Sequence, residues 1–157
     1  MSSAIAIMNE LDLEPIMVKA MDTEEGFGWS LEYTQRIANE YKKYLILCLE
    51  NPDFPVVPSS QIDDFWHLHI LDTMKYQEDC DKFLGYFLHH FPYFGMRGEQ
   101  DEANLKTAWN DSCELYKKRF GQQPEDLWVA SRRCPNCGRR ITGSAYAMDE
   151  RPRLKTA

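Results

Sequence analysis

The stretch Ile62 to Pro92, IDDFWHLHILDTMKYQEDCDKFLGYFLHHFP, decides the fold, and it also holds all four histidines of the chain. At the helical period of about 100° per residue, the segment from Ser60 to Phe83 separates into two stripes. Asp63, His67, Ile70, Leu71 and Met74 fall on one side, and Phe65, His69, Tyr76, Cys80 and Phe83 on the other. Both stripes are largely apolar. A helix apolar on two sides is covered on two sides, so this pattern predicts a central buried helix. Pro52, Pro55 and Pro58 bar a helix just before it and predict an extended connection.

Outward from this segment the same period recurs. Pro15 stands near the start of a short amphipathic helix over 8–20, and Ser30 is placed to cap a long helix running to about Leu49, with Ile37, Tyr41, Tyr44, Leu45 and Cys48 on its inner face. Downstream, Leu105, Ala108, Trp109, Ser112, Leu115, Tyr116 and Phe120 form one face of a helix over 101–120 that Gly121 ends. No period-2 pattern runs through the first 121 residues. The expected fold is therefore all-α, a helical domain over 1–121 with four to five helices within residues 8–121, and an irregular tail over 122–157.

The chemistry sits in the same stretch. His67, His69, His89 and His90 lie within 24 residues, and Asp63 precedes His67 by one helical turn. A carboxylate at that spacing either fixes the tautomer of a metal-binding or proton-transferring imidazole, or simply satisfies a buried polar group. Asp72 and Thr73 stand in the same relation to His69. On a regular helix His67 and His69 diverge by about 200° and do not chelate one ion together. His89 or His90 would have to fold back at Gly85 to join one of them. The candidate metal ligands are thus Asp63, His67, His69, His89 and His90, and imidazole-rich sets of this kind suit zinc, iron or copper. No HExxH and no phosphate-cradling glycine loop is present, so no named catalytic class is matched.

A second local signal is CPNCG, with Cys134 and Cys137 spaced like one knuckle of a zinc ribbon. No second C-x-x-C exists to complete it. A loose reduced pair and a redox motif are the other readings of this dipeptide spacing. Nucleophilic use of Cys80 is a third chemical possibility, set against its position in an aromatic stripe.

Charge is unevenly spread. Residues 131–157 hold seven basic residues and two acids, which makes the tail +5 and the first 130 residues -12. An acidic body argues against a nucleic-acid surface on the core, while the basic tail leaves an anionic partner open. The first residues lack a basic segment followed by a long apolar run, and no stretch approaches the length of a membrane span. A chain outside the membrane, in the cytoplasm, is the expectation. Five widely spaced cysteines fit reduced thiols or metal ligands better than a disulfide framework.

Several segments together resemble a known family. GWS at 28–30, YKKYLIL at 41–47, VPSSQIDDFWHLHILDT at 57–73, Y-x-x-D-C at 76–80 and GYFLHHFPYFG at 85–95 are similar to bacterial members of the glycine-rich domain-containing protein-like family, whose domain also occurs in plant proteins. The resemblance covers roughly 90 residues, from Trp29 to Gly121. It implies a small helical domain and makes Asp63, His67, His69, Cys80, His89 and Pro92 family features. It brings no reaction with it. The chain departs from the family at its end, where CPNCGRRITGSAYAMDERPRLKTA stands in place of a glycine-rich region.

Two functions follow as expectations. One is a metal-binding helical protein with a His-rich site, open to catalysis. The other is an interaction module whose histidines are structural and whose basic, cysteine-bearing tail contacts a protein or small-molecule partner.

Overall fold

A computed structural model describes residues 3–130, 138–139 and 148–154. Among these residues lie six α-helices: α1 Ser3–Asn9, α2 Glu14–Met21, α3 Leu31–Glu50, α4 Ser60–Leu71, α5 Thr73–Asp79 and α6 Glu99–Phe120. A π-helical turn, Cys80–Leu84, continues α5. The only strands among them are two residues long, β1 His90–Phe91 and β2 Gly138–Arg139, paired antiparallel with His90 opposite Arg139. The protein is mainly all-α, as the periodicity predicts. No helix among the described residues is long and apolar enough to cross a membrane.

The chain divides into two compact units, one built from residues 1–50 and 61–88, the other from 51–60 and 89–157. In the first, α2 starts with Pro15 in its opening turn, where a missing N–H costs nothing. Ser30 caps α3, its Oγ accepting from Tyr33 N at 3.2 Å, while the Thr34 hydroxyl donates to Ser30 O. The buried face of α3 runs through Ile37, Tyr41, Tyr44, Leu45 and Cys48, as its spacing requires. Ser30→Ala is expected to cost about 1 kcal/mol in a denaturant titration. A neutral result would mean that α3 is held by packing alone.

The helix expected over 60–83 is interrupted. α4 stops at Leu71, and Asp72 begins a new helix by accepting from Lys75 N at 3.3 Å. Only one of the two stripes is then buried along its length: Phe65, His69, Tyr76, Cys80 and Phe83 are in the core, with Ile62, Asp63 and Trp66. Leu71 and Met74 are instead 69% and 76% exposed. Gly85, at φ +80°, closes the π-helical turn with its N–H on Cys80 O.

The second unit is organised on α6. Its first turn carries Glu99, Asp101 and Glu102 and its last Lys117, Lys118 and Arg119, an arrangement that complements the helix dipole. Val57, Phe91, Phe94, Ala108 and Met148 form its core, and Ser112 Oγ accepts from Val57 N at 2.8 Å. Beyond Gly121 the described residues contribute to packing: Leu127, Trp128 and Met148 are buried, and Trp128 lies against Tyr116 with ring centres 4.9 Å apart. Arg97 forms a clamp in this unit. Its Nε and NH2 donate to the Asp101 carboxylate, NH1 donates to Glu150 O, and the guanidinium lies over the Phe91 ring. Asp101 Oδ2 also accepts from Gly95 N and Arg97 N.

Candidate metal centre

Asp63 and His67 meet across one turn of α4, with Asp63 Oδ2 and His67 Nε2 3.1 Å apart. The carboxylate is buried and the imidazole is 45% exposed. The hydrogen bond that the His67 ring donates to Asp63 raises the His67 pKa above its ordinary value, against the opposing effect of burial. Burial also raises the pKa of Asp64, the next carboxyl along, and the charge of Asp63 adds to the shift.

His90 follows Leu88 by two residues, and Leu88 is tied to α5 because its carbonyl accepts from the Tyr76 hydroxyl. That hydroxyl in turn accepts from Trp66 Nε1 at 2.9 Å. Asp63, His67 and His90 each offer one ligand atom, and these atoms all lie within 4.8 Å of one another. Donors about 2.1 Å from one ion, at angles between 90° and 109°, stand about 3.0 to 3.4 Å apart. The 3.1 Å between Asp63 and His67 fits that requirement. This His/Asp cluster could hold a metal ion.

The other expected ligands are placed differently. His69 is 2% exposed, and both its ring nitrogens have partners: Nδ1 with the Tyr41 hydroxyl at 2.7 Å, Nε2 with Asp79 Oδ2 at 2.8 Å. A carboxylate only accepts, so Nε2 carries the proton and Tyr41 donates to Nδ1. Lys75 Nζ, 3.1 Å from the same Asp79 oxygen, completes the chain. Burial lowers the His69 pKa against the pull of Asp79, in the direction that favours the neutral ring. The sequence pairs His69 with Asp72 and Thr73, but Asp72 is used as the cap of α5. Tyr41→Phe should cost about 1–3 kcal/mol by leaving a buried acceptor unmet. Urea unfolding measures it, and a loss below about 0.5 kcal/mol would contradict the assigned direction of the bond.

His89 is exposed and stands outside the cluster. Cys134 and Cys137 lie outside the described residues. Cys80 is buried, and burial pushes its thiol pKa up, so it is a protonated packing group beside Tyr76 rather than an activated nucleophile. Asp79 and Tyr41 are the partners of His69 that sequence reading missed. Tyr41 was visible only as a member of the α3 apolar face, and no local spacing links either residue to His69.

Fold and site together define a small helical protein with a His/Asp cluster able to hold a metal ion. The chain belongs to the UCP032817-like family, whose model matches residues 5–126. It is also similar to Glycine-rich domain-containing protein 2 of Arabidopsis thaliana, 27% identical over 82 residues. That match covers 49% of this chain and 9% of the plant protein, so the chain spans a small fraction of its relative's length. No solved structure matches the chain.

Proposed function

We propose that this protein binds one divalent transition metal ion through Asp63, His67 and His90, with zinc as the first candidate and iron or copper as the alternatives. The observation that carries the reading is the convergence of two imidazoles and a carboxylate within 4.8 Å. Two nitrogens and one oxygen are donors that zinc and iron(II) both accept. Asp63 serves as a ligand or as the acceptor that orients His67, and its buried position holds it in place for either role. Cys134 and Cys137 remain a separate candidate for a thiolate-bound ion.

Metal content of the full chain, measured by plasma mass spectrometry, tests this with the two sources kept apart. A Cys134→Ser/Cys137→Ser variant is expected to retain about one ion per chain. Adding His67→Ala to that background should remove it. A Cys134→Ser/Cys137→Ser variant that binds no metal would overturn the reading, and the interaction-module function would replace it. That second reading has one observation in its favour: the fully hydrogen-bonded His69 is what a structural histidine looks like.

A further inference from the structure

Three aromatic rings meet at the surface of the first compact unit, where α2 passes into α3. Phe27 is 45% exposed, and its ring stacks on Trp29 with centres 4.7 Å apart and planes 24° apart. Tyr33, in the first turn of α3, meets Trp29 edge-on at 5.2 Å, and Leu31 between them in sequence is 54% exposed. The loop that carries Phe27 is held from beneath. Phe27 N donates to Ala20 O at 2.9 Å, Gly26 N and Gly28 N donate to Asp22 O at 3.1 Å, and Asp22 Oδ1 accepts from Glu24 N and Glu25 N at 2.9 and 2.7 Å. A Cβ at Gly26 would lie 1.8 Å from Lys19 O, so the loop takes this course against α2 only with glycine there. Rings fixed in advance on a tied loop lose little conformational freedom on contact, which favours their use in binding.

Charge decides the partner. Residues 19–36 hold four exposed acids, Asp22, Glu24, Glu25 and Glu32, against Lys19 and Arg36, and Lys19 is paired with Glu25 at 3.5 Å. Nucleic-acid phosphates and anionic lipid headgroups are repelled by such a rim. A second copy docking by the same face sets like charges opposite each other. A guanidinium is attracted by the carboxylates and also stacks on aromatic faces. We propose that the face formed by Phe27, Trp29 and Tyr33 binds an arginine-bearing segment of a partner protein, the rings taking guanidinium groups and the carboxylates around them supplying the charge. The metal reading plays no part in this.

Binding of a fluorescein-labelled hexa-arginine peptide to the full chain, read by anisotropy in about 150 mM salt, tests it. Saturable binding is expected. Phe27→Leu keeps the apolar bulk and removes the ring, and should weaken binding about two- to fivefold, the size of one exposed cation–π contact. Hexa-lysine, of the same charge, should bind at least about twofold more weakly than hexa-arginine, because an ammonium is more strongly hydrated and does not stack. Glu24→Gln/Glu32→Gln should weaken both peptides. This exposed pair and the preference for arginine carry the test in case Phe27→Leu lowers the melting temperature. A hexa-arginine peptide that fails to bind would overturn the inference. Equal binding of hexa-lysine, or an unchanged affinity in a folded Phe27→Leu chain, would reduce the contact to charge alone and overturn it as well. A concentration-dependent dimer in sedimentation that Phe27→Leu abolishes would give the face to a second copy of this chain, with the same consequence.

Discussion

His67→Ala is expected to weaken metal binding at least about 100-fold, more than the 10- to 100-fold typical of losing a partner that merely orients a ligand. The side chain is one of three donors, and its ring is the most exposed of them, so its removal changes coordination much more than packing. The hydrogen bond to Asp63 is lost as well, at about 1–2 kcal/mol of stability. Calorimetric titration with zinc gives the first quantity, urea unfolding the second. His90→Ala should behave alike, and His89→Ala should leave affinity unchanged, because His89 is exposed outside the cluster. Loss of binding with His89→Ala and retention with His90→Ala would reverse the assignment of the adjacent pair.

Asp101→Ala is expected to cost about 3–5 kcal/mol, the range for removing one partner of a buried ion pair. Asp101 and Arg97 are both largely buried, and the carboxylate takes two side-chain bonds from Arg97 and the backbone N–H groups of Gly95 and Arg97. The substitution takes the carboxylate away from a guanidinium that still meets Glu150 O and the Phe91 ring. Because Arg97 also joins the segment around Glu150 to the start of α6, protease sensitivity within 148–154 should rise with the loss of stability. A loss under about 1 kcal/mol would mean that water or another acceptor takes over the pair.

The helices were readable because their signals are local. Pro15, Ser30 and Gly121 stand where a first turn, an N-cap and a helix end require them, and the apolar faces of α3 and α6 follow a single period. The break at Asp72 was masked by that same period, since Ile70, Leu71 and Met74 continue the apolar pattern across it. An aspartate that caps a new helix looks, in sequence, like one more polar residue on an old one. The partners of His69 depended on this break. Asp79, at the end of α5 and beyond the break at Asp72, comes within 2.8 Å of its Nε2, and Tyr41 reaches it from a helix 28 residues earlier.

At the cluster, the Asp63–His67 pair was legible from its four-residue spacing. The choice between His89 and His90 was not. Adjacent residues on an extended segment point to opposite sides, so either could turn inward until the pairing of β1 and the anchoring of Leu88 are known. Packing beyond Gly121 escaped notice for a different reason. Leu127, Trp128 and Met148 are isolated apolar residues with no period of their own, and their burial depends on the surface that α6 offers them.

The donor set itself is the most direct test of the central claim. X-ray absorption of the Cys134→Ser/Cys137→Ser chain loaded with one equivalent of zinc should give a first shell of nitrogen and oxygen at about 2.0–2.1 Å, with imidazole outer-shell scattering from two histidines. A first shell in that chain without the scattering of two imidazoles would contradict a metal centre built from Asp63, His67 and His90.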